Sequence, residues 1–313
     1  MEEIKTVSWL DVINVGLFAA ALRMATPIAL ASLGGLFSER VGVINIGLEG
    51  VILAGAFSGV LATFITRNPW IGVLMAMVIG ALMGLLHAVL TVTLRGDQIV
   101  SGTGLNLFSA GLTAYLSEAV WGSRGASPSV PGLPVLQIPV LKDIPYVGAI
   151  IGSHTPLVYA MLLITVASQV LIFRTPFGLR IRAVGEYPAA ADTAGINVYR
   201  VKYLSIVLGS TLAGLAGAFL SLGHLSLFAW GMSGGRGFIA MAAMIFGRWM
   251  PFGALGASLL FGFADALQMR LQSLGLLPPQ IILTIPYLLT IAVLAGFVRR
   301  ANPPSDYKPY VKE

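Results

Sequence analysis

Nine apolar runs follow one another along this chain, at residues 12–36, 41–66, 70–94, 99–121, 156–173, 203–223, 236–249, 252–273 and 279–298. Most approach the about 20 residues that an α-helix needs to cross a hydrocarbon core. In such a core every backbone N–H and C=O must be bonded within the protein, which leaves little beyond helices as spanning elements. The expected fold is therefore all-α: a polytopic helical bundle of about nine transmembrane segments, some short or broken, with residues 1–313 forming a single membrane domain. Composition supports this, since hydrophobic residues make up 57% of the chain and charged residues only 10%, against about 25% charged in soluble domains. Mean hydropathy is +0.87. No stretch is left for a soluble catalytic domain.

The few charges fix an orientation. Arg174 to Lys202 holds five of the nineteen Lys and Arg residues, and Arg299, Arg300, Lys308 and Lys312 crowd the last residues. Positive loops stay in the cytoplasm, so 174–202 and the tail 299–313 are expected inside, and an odd number of crossings puts the N-terminus outside. The Pro- and Gly-rich loop 122–155 then faces out, as a connector or as a contact for an external partner. The positive-inside rule also accounts for the net charge of +6 without a nucleic-acid partner. The absence of cysteine excludes disulfides and thiolate chemistry. The acidic opening MEEIKTVSWLD lacks a basic n-region, so a cleaved signal peptide is not expected.

Two spans carry irregular signals. Arg23 falls inside the first run with Pro27 one turn later, which suggests a broken or re-entrant segment. GMSGGRG, Gly231 to Gly237, precedes a run of about fourteen residues, short for a crossing and tolerable as a half-helix buried in protein. Gly80, Gly84, Gly209, Gly214 and Gly217 are placed to let helix backbones approach closely. Gly84-His87-Ala88 and Gly262-Asp265-Ala266 share offsets, an echo compatible with duplication.

No lysine sits in a GxxxxGK[ST] loop, so the chain does not hydrolyse ATP through a P-loop of its own. No HExxH occurs, and neither a hydrolytic metal centre nor a serine nucleophile elbow is expected. Ionisable residues inside spans are the remaining candidates, because burying them is costly and they often mark a pathway. Asn45 and Glu49 are spaced i, i+4 and Asp265 and Gln268 i, i+3, each pair expected on one helix face, where carboxylates and amides would suit a polar neutral solute. Structural alternatives stand beside each. Glu49 could pair with Arg23 or cap an interhelical contact, His87 could be a packing residue, and Glu39-Arg40 could be a solvated helix end or a partner contact.

LGGLFSERVGVINIGLEGVILAGAF (Leu33 to Phe57), LRGDQIVSGTGLN (Leu94 to Asn106) and GRGFIAMAAMIFGRWMPFGALGASLLFGFADALQ (Gly235 to Gln268) resemble the permease subunits of bacterial ABC importers for nucleosides, within the branched-chain amino acid and ribose permease superfamily. The resemblance implies a multi-pass protein of the bacterial cytoplasmic membrane, surrounded by lipid. It would pair with a second, similar permease chain, expected as a heterodimer, with cytoplasmic ATPase subunits and with an external substrate-binding lipoprotein. ATP and Mg would be used by the ATPase, and this chain would bind no cofactor. The resemblance also makes GEYPAAADTAGI, Gly185 to Ile196, a coupling helix seated in the ATPase, with Gly185, Glu186, Tyr187, Pro188, Ala189, Ala190, Asp192, Thr193 and Gly195 as its residues. Asn45, Glu49, Asn106, Asp265 and Gln268 would line the solute pathway. A sugar or branched-chain amino acid cargo, or an ion-coupled transporter acting alone, stays open as an alternative.

Overall fold

A computed structural model describes residues 14–139, 144, 146–274 and 278–284, and singly 288, 291, 303, 304, 307 and 310. Most of the expected last span, most of the tail and the acidic opening lie outside the described residues. Within them the chain is mostly helical. The long helices are α1 (Val15–Glu39), α2 (Leu48–Thr66), α3 (Pro69–Ala88, continued as one π-helical stretch Val89–Thr93) and α4 (Gln98–Trp121). Between α4 and the next long helix come β1 (Leu136–Gln137), the short α5 (Val147–Ile151) and β2 (Ser153–His154). Then follow α6 (Pro156–Arg174), α7 (Pro176–Glu186), α8 (Pro188–Thr193), α9 (Val198–Ala218, continued π-helically to Leu225), α10 (Arg236–Phe246), α11 (Pro251–Leu274) and α12 (Pro279–Ile282).

Local chemistry starts these helices where it is expected to. Asn14, Asn68, Asp97, Thr175 and Asn197 each turn a side-chain oxygen onto a first-turn N–H, satisfying donors that have no intrahelical partner. Pro69, Pro156, Pro176 and Pro188 occupy first-turn positions, where a missing N–H costs nothing. α1 is not broken: it runs unbroken through Pro27 for 25 residues. The Arg23 and Pro27 signal therefore marks neither a break nor a re-entrant turn. Tight packing on every side over-rules the proline, and Thr26 returns its hydroxyl to the Leu22 carbonyl.

Among the described residues, six helical stretches are long and apolar enough to cross a membrane: Val15–Glu39, Leu48–Thr66, Pro69–Thr93, Pro156–Arg174, Val198–Leu225 and Pro251–Leu274. The expected count was nine. α4 has the length but a more polar sequence, α10 has only 11 residues, and 279–298 falls mostly outside the described residues. The bundle is built around α1, whose residues from Met24 to Glu39 are all buried. It packs on α9, α10 and α11, while α2 and α3 close around the other side of α9.

Glycine sets how near these helices lie. A Cβ on Gly34 would stand 2.3 Å from the Gly209 carbonyl oxygen, and one on Gly209 would stand 2.2 Å from that of Gly34. The α1 and α9 backbones touch, and only hydrogen fits between them. Gly80 and Gly84 meet Gly214 and Ser210 of α9 in the same way.

At one end of the bundle, residues 125–133 run beside 222–230. The amides of Ser127, Val130 and Leu133 donate to the carbonyls of Phe228, Ser226 and Leu222, and Trp230 returns its amide to Gly125. Trp121, Phe57 and Phe228 pack ring against ring beneath this seam.

Candidate functional site

The polar residues of the middle of the bundle converge on two interruptions of helix. Between α1 and α2 the backbone at 40–47 is irregular, with Gly42 at φ +79°. Between the π-helical end of α9 and α10 it loops through 226–235, with Gly231, Gly234 and Gly235 all at positive φ. Non-helical backbone buried inside a bundle survives only if other groups take its hydrogen bonds. Here side chains do so. Gln98 accepts from the Ile44 amide at 2.7 Å and reaches the Gly42 carbonyl. The His87 ring meets the Ile44 carbonyl at 3.1 Å and Ser101 at 2.9 Å. Asn106 donates to the Ile46 carbonyl at 3.0 Å and accepts from the Gly50 amide at 2.7 Å.

Asn45 and Glu49 do not share a helix face, contrary to the expectation from their spacing. α2 begins only at Leu48, because the turns and irregular backbone before it are held by Gln98, His87 and Asn106. Asn45 is buried in that segment, donates to Ser210 at 3.3 Å and leaves its carbonyl oxygen without a partner. Glu49 sits in the first turn of α2 and sends its carboxylate across to α10, where the amides of Gly235 and Gly237 donate to its two oxygens at 2.8 and 2.7 Å. A Cβ on Gly237 would lie 2.4 Å from the Glu49 amide nitrogen, so the two helix N-termini abut. Two positive dipole ends facing each other would repel, and the Glu49 carboxylate between them supplies the compensating charge. Glu49 thus caps an interhelical contact, and it does not pair with Arg23.

Asp265 and Gln268 lie on α11, both half-buried, and neither hydrogen-bonds or ion-pairs with another described residue. Arg236, at the first position of α10, acts electrostatically on Asp265 and spends one guanidinium nitrogen on the Met232 and Ser233 carbonyls. Its Nε is buried without a partner. Of the five residues expected to line a pathway, three hold irregular backbone or helix ends together, and two stand as unpartnered polar groups on α11.

The other candidate region is α7 and α8. The chain bends at Tyr187, and Glu186, Tyr187, Ala189, Ala190, Thr193 and Gly195 are exposed on the surface, Tyr187 with 65% of its area. Pro188 and Asp192 are half-buried. Ala191, Ile181 and Val184 face inward onto Leu36, Phe37, Val41, Ile172 and Trp249. Gly185 is buried where a Cβ would come within 2.0 Å of the Arg40 carbonyl oxygen. A small-residue ledge is presented outward from a rigid apolar foot.

That foot ends on a clasp. Arg40 donates through Nε and a terminal nitrogen to the Trp249 carbonyl, at 3.0 and 2.5 Å. The Trp249 indole N–H donates to Glu39 at 2.6 Å, and the Tyr307 hydroxyl donates to the same oxygen at 3.1 Å. Burial, and after it the Glu39 charge, push the Tyr307 pKa up, so its hydroxyl keeps the proton it donates. Burial, and after it the Arg182 charge, lower that of Arg40. Both guanidinium groups lie over the Phe173 ring, at 5.3 and 5.5 Å from its centre.

Residues 17–294 match the family of the branched-chain amino acid transport system permease component. The chain belongs to this family. It is a permease component and a multi-pass protein of the cytoplasmic membrane. Among curated relatives, the guanosine ABC transporter permease protein NupQ of Bacillus subtilis is 41% identical over 307 residues, covering 94% of this permease and 95% of NupQ. The nucleoside ABC transporter permease protein NupC of Lactococcus lactis is 39% identical over 305 residues, covering 94% and 96%. TsgC13 of Haloferax volcanii, a provisional glucose ABC transporter permease, is 39% identical over 310 residues, covering 92% and 93%. A solved ABC transporter chain in an inward-facing conformation superposes with a TM-score of 0.53 at 14% identity, covering 95% of the permease and 92% of that chain, a likeness of fold.

Gln98 and Trp249 carry no signal in their local spacing that pairs them across 54 or 209 positions, and Glu39-Arg40 is not the solvated helix end that its place suggests, because Glu39 is buried and both residues bond Trp249 of the permease itself. No nucleophile elbow is expected from the sequence, yet Gly231 to Gly235 spells Gly-x-Ser-x-Gly. The letters carry no such chemistry here. A π-helical end and a loop lead into them where an elbow needs a strand, and Ser233 is buried with its carbonyl engaged by Arg236.

Proposed function

We propose that this permease is the membrane subunit of an ATP-driven importer of nucleosides, purine or pyrimidine. The observation that carries the cargo class is the near-full-length relationship, at 41% and 39% identity, to permeases named for guanosine and for nucleosides. The relative named for glucose, at 39%, makes a sugar the competing cargo in the test. NupP of Bacillus subtilis, also a guanosine ABC transporter permease protein, is 27% identical over 261 residues. That two such chains exist in one organism supports a second, homologous permease as partner, in a heterodimer.

In this proposal nine segments cross or enter the bilayer, with the N-terminus outside and the C-terminus in the cytoplasm. Residues 122–155 face out, toward a substrate-binding lipoprotein. Residues 174–202 and 299–313 face in. Gly185 to Gly195 dock on cytoplasmic ATP-binding subunits, which use ATP and Mg, while this chain holds neither. The exposed ledge of Glu186, Tyr187, Ala189, Ala190 and Thr193 supports that role, because small side chains on a short helix fit a groove and the buried foot beneath transmits force. ATP binding displaces the ledge, and the bundle alternates between outward and inward access. Asp265 and Gln268 offer unpartnered polar groups to a solute, Asn45 an unpartnered carbonyl, and Glu49 and Asn106 keep the interrupted helices in register.

Uptake of labelled guanosine by cells lacking this chain, with and without its return on a plasmid, tests the function. Uptake should fall on deletion and return with the plasmid, and excess unlabelled nucleoside, but not glucose or leucine, should compete. Unchanged uptake, or competition by glucose alone, would reject the nucleoside assignment.

A further inference from the structure

The short helix α10 is held at both ends by residues that flank or open one irregular segment. Its N-terminus rests on Glu49, just after 40–47. Its C-terminal turn, Gly247 to Met250, is gripped through the Trp249 carbonyl and indole by Arg40, the first residue of that segment, and Glu39, just before it. That turn is strained: Arg248 and Trp249 are consecutive non-glycine residues at φ +56° and +51°. Such conformations persist only where surrounding contacts over-determine them. Arg40 also touches the other side of the clasp, since its carbonyl oxygen lies where a Gly185 side chain would be. One residue therefore bridges the last turn of α7, through its backbone, and the turn that ends α10, through its guanidinium.

We propose that the Glu39-Arg40-Trp249 clasp is the link by which displacement of Gly185 to Gly195 reaches the half-helix α10. The proposal rests on the coupling role argued above and names the residues that carry the displacement inward. Arg40 and Glu39 are positioning residues: they act on α10 through Trp249. The two N–H bonds from Arg40 converge on one carbonyl, which fixes direction as well as distance, and the Glu39 bond stops the indole from swinging away. With α10 fixed at Glu49, a pull at Trp249 tilts the helix about its N-terminus.

The chain has no native cysteine, so paired labels can be placed on the assembled transporter, with cysteine-free partner chains, at Phe238→Cys on α10 and Leu82→Cys on α3, both exposed. In the parent complex ATP should shift the distance between the labels. In Arg40→Gln that shift should vanish and cargo moved per ATP should fall about tenfold, within the usual range for coupled sites, while the partner subunits still hydrolyse ATP. Arg40→Lys, which keeps a charged donor, should restore part of both. Should Arg40→Gln fail to assemble, Trp249→Phe, which loses the indole bond to Glu39, is held to the same two readouts. A retained shift with cargo per ATP within about twofold of the parent would overturn the proposal. A parent complex with neither uptake nor shift would instead overturn the importer reading, and the clasp with it.

Discussion

Glu49 carries the most consequential side chain in the bundle, because its carboxylate is shared between the N-termini of α2 and α10. Glu49→Ala should lower stability by about 3 kcal/mol, and Glu49→Gln by about half that, since hydrogen bonds to a charged group contribute about 1.5–3 kcal/mol. Thermal unfolding of the purified complex measures this; a large loss of uptake with an unchanged melting temperature would place Glu49 in the pathway instead. His154 gives a prediction in pH. Burial, and more weakly the Arg23 charge, lower its pKa against the opposing Ile150 carbonyl. The folded protein then binds fewer protons than the unfolded one below the ordinary histidine value of about 6.5. The stability of the β1–β2 pairing is therefore complete above about pH 6.5 and declines as the pH falls below it. Amide exchange at Ser153 and His154, corrected for intrinsic rates, should show that decline between about pH 7.5 and 5.5, and His154→Gln should remove it. At this scale the sequence told which residues are costly to bury but not what they bond. Asn106 and Glu49 were singled out for their polarity, and their partners are backbone amides that no spacing rule reveals.

Among the elements, the close-packed helices and the α7–α8 ledge make separate demands. Gly209→Val would place a branched side chain against the Gly34 carbonyl and should abolish accumulation of the protein in the membrane, whereas Gly104→Ala, at a position with no atom within 4 Å, should be tolerated. Quantifying both variants in membrane fractions checks this. Glu186→Arg together with Ala190→Trp changes only exposed positions of the ledge. Insertion should be normal, and uptake driven by ATP should be lost; normal uptake would remove the coupling role from this segment. Most helices were legible from apolar runs, caps and prolines, and so was the short length of α10. The boundary of α2 was not, because 41–47 is largely apolar and its irregular backbone is held by side chains from α3 and α4. Pro27 misled for the converse reason: burial on all sides holds α1 helical through it.

For the whole molecule, the chain is a permease component whose sequence carries no P-loop lysine motif, and the proposed importer reading assigns the energy source to another chain. Among the described residues six helices have the length and hydropathy to cross a membrane, and the more polar α4 owes its polarity to residues such as Gln98 and Asn106 that serve the bundle's interior. The central claim is that this chain moves nucleosides only when separate ATPase subunits act on Gly185 to Gly195. Its most direct test is labelled guanosine uptake into vesicles containing the purified permease pair and loaded binding protein, with ATP present, with and without the ATPase subunits. Accumulation is predicted only when the ATPase is present and the ledge is intact. Accumulation by the permease pair without the ATPase would contradict the account and point to a transporter driven by an ion gradient.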